Sequence, residues 1–325
     1  MIPTLVGMTF LLFAIMRFAP GLTTGGGEYS SGMMSSRQAQ QAEQQMMSKR
    51  LHLVDQNGKP ISLPMQYIYW LRDTCEGDFG TSVQYNQPVM DLIKQRLPVT
   101  LIINLISMVV IYILAIPAGM LAAVRKGGVF DHIYAFGSLA LYSLPVIWVG
   151  SMLLGFLANP QFLNWFPSAG IHSTNTDNMT YLQYVGDYFW HIALPTLCYT
   201  YGSFAYLSKQ VRASMLDTMH QDFVRTARAK GLSEPVVLIR HVFRNVLLPL
   251  ITITGMSLPG LLGGSVIVEQ IFSIDGMGRL AFQATFARDL PVIQTVALIG
   301  SVLTLFSYLL VDICYAIADP RVTYD

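Results

Sequence analysis

An all-α membrane protein that crosses the bilayer several times is the fold class this sequence predicts, on three observations. Of its 325 residues, 53% are hydrophobic, and the mean hydropathy is +0.46. Only 12% are charged, about half the share usual in soluble domains. The apolar residues are gathered into runs that reach the roughly 20 residues a helix needs to cross a bilayer. The formal net charge of +1 says little about partners, and no nucleic acid is expected. The distribution of the charges says more.

Six helical spans are expected, at roughly 2–19, 99–123, 133–158, 190–211, 243–268 and 292–317. The first lacks a basic start and a small-residue cleavage site, so it reads as a span and not as a signal peptide. Pro117, Pro145, Pro195 and Pro259 fall within or near the ends of spans. Transmembrane helices tolerate proline where neighbours satisfy the freed carbonyl.

Residues 1–19 therefore form a first transmembrane helix. Residues 20–97 form an external segment, and 98–325 form a five-helix core with a cytoplasmic loop at 212–243. Orientation follows from the cations. Arg125 and Lys126 follow the second span, and Lys209, Arg212, Arg225, Arg228, Lys230, Arg240 and Arg244 follow the fourth. Cation-rich short connections stay in the cytoplasm. With six spans, both termini are cytoplasmic.

Within the external segment, 25–48 lacks a sustained apolar face and reads as a mobile insertion. From Leu63 to Leu97 the chain reads as ordered, with Tyr67, Trp70, Leu71 and Phe79 available for packing. Cys198 and Cys314 lie in apolar runs as small core residues, and Cys75 stands alone in a polar stretch. No spacing of histidine or cysteine suggests a metal site.

The stretch DFVRTARAKGLSEPVVLIRHVFRNVLLP, residues 222–249, is the most informative. Asp222 can cap a short helix. Phe223 and Ala227 share one face of it at i, i+4, and Arg228 and Lys230 point elsewhere. Gly231 suits the position just past a helix end, where positive φ is needed. Ser233 can cap the next helix, with Pro235 in its first turn. The result is a short foot helix on the membrane surface, hinged to a helix that enters the membrane.

ARAKG at 227–231 followed by LLP at 247–249 resembles the cytoplasmic coupling loop of permease subunits from ABC importers. VRTARAKGLSE looks like the variant found in the dipeptide, oligopeptide and nickel permease group. RFAPG at 17–21, GDFGTS at 77–82, RLPVTL at 96–101 and GMLAAVRKG at 119–127 with Asp131 agree with that group. So do VEQIF at 268–272, GMGRL at 276–280, RDLP at 288–291 and DPR at 319–321. Asp275 stands where the group usually has proline.

The resemblance implies a type I ABC importer permease fold in a bacterial inner membrane. It implies a second homologous permease subunit, two ATP-binding subunits and an external substrate-binding protein as partners, with lipid around the spans. The ATPase-coupling loop would be Asp222, Phe223, Arg225, Ala227, Arg228, Ala229, Lys230 and Gly231. The external loop toward the binding protein would comprise Glu269, Asp275, Gly276, Gly278, Arg288 and Asp289. Asn104, Ser143, Tyr201 and Ser257 are polar positions within spans and candidates to line the pathway. Such hydroxyls also bond their own helix carbonyls or a neighbouring helix. The cargo stays open between dipeptide, oligopeptide, nickel and other solutes.

No GxxxxGK[ST] phosphate loop occurs, so ATP hydrolysis falls to partner chains, and this chain is neither an enzyme nor a cofactor binder. The alternative class is a self-sufficient channel or ion-coupled carrier. That class calls for ionisable groups at the membrane midplane. Only Arg17 and Asp312 lie well inside spans, each near an end.

Overall fold

The computed structural model describes residues 2–18, 53–55 and 59–318. The expected insertion at 25–48 and the DPR tail motif lie outside the described residues. The described residues are helical, with only isolated bridges, Val54 to Pro60 and Thr81 to Pro88, of β type. The helices are α1 (Ile2–Phe18), α2 (Leu63–Glu76), α3 (Val89–Val124), α4 (Val129–Ser143), α5 (Val146–Leu157) and α6 (Tyr181–Met219). They continue with α7 (Asp222–Ala229), then α8, which runs through Glu234–Val236, a π-helical turn Val237–Val242 and Phe243–Gly263. The last are α9 (Val266–Ile271), α10 (Met277–Phe286) and α11 (Leu290–Ala318).

Among the described residues, three continuous helices are long and apolar enough to cross a membrane: Val89–Val124, Glu234–Leu261 and Leu290–Ile317. The expected continuous span 133–158 is instead two helices, α4 and α5, bent by 93°. Pro145 stands at the break and favours it. It has no N–H to give the preceding turn, and its ring forces Leu144 into extended backbone, with ψ of 125°. Pro117 and Pro195, by contrast, stay inside α3 and α6. Helices also outrun their apolar cores. The 39-residue α6 contains the expected span 190–211 but begins nine positions earlier and continues to Met219. The supposed loop 212–243 is therefore mostly helix.

The chain divides into two units. One comprises Met1–Leu97 with Leu280–Leu305. Here α1 and α2 meet through aromatic packing of Phe13 on Tyr67 and Trp70. The Thr9 hydroxyl and the Tyr67 phenol are hydrogen-bonded at 2.9 Å beside it. Asp289, wholly buried, accepts from the Ser82 hydroxyl at 2.5 Å and the Gln84 N–H at 3.1 Å.

The other unit comprises Pro98–Arg279 with Phe306–Asp325. It holds two apolar clusters. One joins Ala115 and Ala123 of α3, Leu207, Val211 and Met215 of α6, and Val242, Val246 and Leu250 of α8. The other gathers Ile103, Ile192, Cys198, Val268, Phe272 and Ile274. Lipid is as apolar as these side chains, so close packing and interhelical hydrogen bonds hold such a bundle together. Asp131 at the start of α4 adds a polar tie, accepting two hydrogen bonds from the Arg212 guanidinium of α6 at 2.7 and 2.8 Å.

Candidate functional site

The foot helix forms as the sequence implies, with shifted edges. Gln221, not Asp222, is its N-cap, and no side chain caps it. Asp222 occupies the first turn and Arg228 the last, each the sign that the helix dipole favours. Lys230 closes the helix and Gly231 follows with φ of +80°. The Gly231 N–H bonds the Arg228 carbonyl at 2.9 Å and the Leu232 N–H bonds the Ala227 carbonyl at 3.4 Å. That pair of bonds is the Schellman ending, and it needs a left-handed residue at Gly231.

Burial sorts the expected coupling residues into two sets. Val224 and Ala227 are buried, at 0% and 5% exposure, against Val237, Val242 and Val246 at the base of α8. Asp222, Phe223, Arg225, Arg228, Ala229, Lys230 and Gly231 are exposed. Ala227 therefore anchors the helix to its own chain and does not share the outward face with Phe223. Leu232, Val236 and Ile239, on the turn after α7 and the start of α8, are exposed apolar side chains as well. Sequence reading missed them, although a Leu, Val and Ile beside a cationic helix were the available signal.

Three links tie α7 to α8 across the turn: the apolar plug of Val224 and Ala227, the Schellman bonds, and an ion pair. Arg228 donates to both Glu234 oxygens, at 3.1 and 2.7 Å. The π-helical turn Val237–Val242 follows at once. Such turns are rare and concentrate at functional positions. α7 is thus joined at three points to the base of a membrane-crossing helix.

The residues expected to face outward at 269–289 divide in the same way. Glu269 is 1% exposed. Its carboxylate accepts the Thr100 hydroxyl at 3.1 Å and the Arg279 N–H at 2.7 Å. Thr100 accepts the Met277 N–H at 2.8 Å in turn. Gly276 lies so close that a Cβ there would sit 2.5 Å from both the Glu269 carboxylate and the Thr100 hydroxyl. Glu269, Gly276 and Gly278 thus shape a turn from within, and Asp289 is likewise internal. Asp275 and Arg288 are exposed. Asp275 pairs with Arg279 at 3.1 Å.

The four pathway candidates are each engaged in a hydrogen bond to a backbone carbonyl. Asn104 donates to the Leu261 carbonyl at 2.9 Å. Ser143 and Ser257 bond carbonyls of their own helices at 2.8 and 2.7 Å. Tyr201 donates to the Leu144 carbonyl at 2.8 Å, on the α4–α5 bend.

On the connection before α6, a different polar cluster appears. Asp187 accepts the Ser173 hydroxyl at 2.6 Å and its N–H at 2.8 Å, with His172 at 3.3 Å. Burial pushes this carboxyl up, but the Ser173 bonds and the neighbouring His191 and His172 outweigh it and hold its pKa below the ordinary value. Among the described residues no group of three or more His, Cys, Asp or Glu could hold a metal.

A helical bundle of membrane-crossing segments, with an amphipathic foot locked to the base of one of them, is the architecture of a polytopic membrane protein. The fold matches that of a solved structure titled "Inward facing conformations of the MetNI methionine ABC transporter: CY5 native crystal form", at a TM-score of 0.53 and 16% identity, over 71% of this chain and 97% of that one. A family profile for the binding-protein-dependent transport system inner membrane component matches residues 115–324. The chain belongs to this family: it is a multi-pass inner-membrane permease subunit of an ABC importer. It is 38% identical to the oligopeptide transport system permease protein AppB of Bacillus subtilis (strain 168), over 99% of this chain and 96% of that protein. It is 35% identical to the inner membrane ABC transporter permease protein YejB of Escherichia coli O157:H7, over 82% of this chain and 73% of that one.

Proposed function

We propose that this permease imports peptides and supplies one half of the translocation pathway, with a type I arrangement of six spans and cytoplasmic termini. A second homologous permease supplies the other half. Two ATP-binding subunits sit under the foot helix, and an external binding protein delivers cargo. Residues 98–325 form the five-helix core and 20–97 the external segment. The names of the relatives, oligopeptide permease among them, support the cargo class.

One observation carries the coupling role: α7 presents Phe223, Arg225 and Lys230 outward while Val224 and Ala227 lock it to α8. Closure of the ATPase pair then moves α7 and the base of α8 together, and the bundle alternates between outward and inward access. Nothing lies within 4 Å of a Cβ built at Gly231, so substitutions there act through backbone conformation. Asparagine tolerates positive φ and valine does not. Gly231→Asn should keep peptide uptake, and Gly231→Val, present in the membrane at normal level, should lose uptake and ATPase co-purification together. Normal uptake by Gly231→Val would remove the foot helix from the coupling path.

A further inference from the structure

α8 enters the membrane through two irregular places. The first is the turn Val237–Val242. Before it, the Val237 N–H takes the Ser233 carbonyl at 3.0 Å, four residues back. At its end, the Phe243 N–H takes the Leu238 carbonyl, five residues back. The return from five-residue to four-residue bonding leaves one carbonyl over. At this return the Asn245 side chain donates to the His241 carbonyl at 2.8 Å. The second place is Pro249, which lies within the helix and has no N–H to give the Asn245 carbonyl. π-turns and prolines are the places at which helices kink.

The turn is also where the foot helix is held. Both α6 and α7 pack on it. Val237, Val242 and Val246 are wholly buried, in one cluster with Val224 and Ala227. In an α-helix, residues five apart point about 140° away from each other, so Val237 and Val242 would part. One extra residue in the turn brings both to the same side. Exposure repeats the pattern: Leu238 and His241 are half-buried, and Ile239 and Arg240 between them are exposed. We propose that Val237–Pro249 is the joint through which the foot helix moves α8, and that Asn245 is the positioning residue that holds the joint in its π form. The extra residue is slack. It lets the base of α8 turn with α7 while the helix beyond Pro249 keeps its packing.

The joint rests on the coupling role of α7, so Gly231→Val is measured beside its own variants. The full chain, purified with its partners and placed in lipid vesicles, is given a library of short labelled peptides. Peptide taken up per ATP hydrolysed, ATPase co-purification and thermal melting are read. Deletion of Ile239 removes the extra residue. Ile239 is 64% exposed, so no core is lost, and Val237 then stands four residues from Val242, on one face of an α-helix. The deletion should keep the melting temperature and the ATPase subunits and lower peptide per ATP. Asn245→Leu leaves the His241 carbonyl without its donor and should lower peptide per ATP about fivefold, the ratio carried by one net hydrogen bond. Asn245→Ser should restore it, because a serine hydroxyl bonds the carbonyl four residues back. Normal peptide per ATP in the deletion, or equal behaviour of Asn245→Leu and Asn245→Ser, would overturn the joint. Loss of the ATPase subunits or of melting temperature in the deletion would do so too, since the turn would then only shape the anchor. Uptake lost in Gly231→Val and kept in the deletion overturns the joint alone, whereas uptake kept in both overturns the coupling role and the joint together.

Discussion

Arg228, on the last turn of the foot helix, grips both carboxylate oxygens of Glu234 at the foot of α8, with Gly231 turning the chain between them. The two side chains are 38% and 50% exposed, so the pair contributes little to global stability. Its two-point geometry instead fixes the angle between α7 and α8. Arg228→Glu should therefore destabilise the protein only slightly, by less than about 1 kcal/mol, and reduce uptake more than stability. Adding Glu234→Arg should recover much of the uptake. A double swap no better than the single change would assign the pair no part in coupling.

Ala227 and Phe223 share a helix face on paper and part company in space. Ala227→Asp places a carboxylate among Val224, Val237 and Val242, where no partner awaits it. It should destabilise the protein by several kcal/mol and lower its level in the membrane. Phe223→Asp, on the exposed side, should leave melting and level near normal and weaken ATPase co-purification. Thermal melting in detergent beside pull-down of the ATPase subunits separates the two, and an intact melting curve for Ala227→Asp would contradict the buried placement.

Gly276→Ala presses a methyl group into the Glu269 carboxylate and the Thr100 hydroxyl. Both groups are buried, so neither can swing away cheaply. Overpacking of this kind costs about 1–3 kcal/mol. Glu269→Ala should cost a similar amount by leaving the Arg279 N–H and the Thr100 hydroxyl without their acceptor. Melting temperatures of the two variants and of the double variant test this. Their effects should fall short of additive, because the double change removes the clash along with the carboxylate.

Asp187 holds the loop at Ser173 to the first turns of α6. Its pKa is lowered in the folded protein. The stabilisation it gives is thus complete above the ordinary carboxylate pKa and is lost as pH falls through the lower folded value. Hydrogen exchange at Ser173 should stay slow as pH drops through the ordinary carboxylate range and quicken only below it, after correction for the intrinsic pH dependence of exchange. Asp187→Asn should be fast throughout. Early quickening in the wild type would mean that the carboxylate is not held in this way.

The sequence by itself determined the membrane class, the place of the long apolar helices and the short foot helix with its left-handed glycine. These are local properties. A run of apolar residues or a helix followed by glycine carries its preference within a few neighbouring positions, and Gly231 adopts positive φ as expected. Tertiary structure alone decided which side of α7 is an anchor, because Val224 and Ala227 are sorted from Phe223 only by the valines of α8. It alone turned Glu269 and Asp289 inward, since their hydroxyl donors Thr100 and Ser82 stand 169 and 207 residues away. The bend of 93° between α4 and α5 belongs to both levels. Pro145 makes a break available, because it has no N–H to give. Proline alone does not decide the break: Pro117 and Pro195 lie within continuous helices, whereas at the Pro145 bend Tyr201, reaching in from α6, donates to the Leu144 carbonyl.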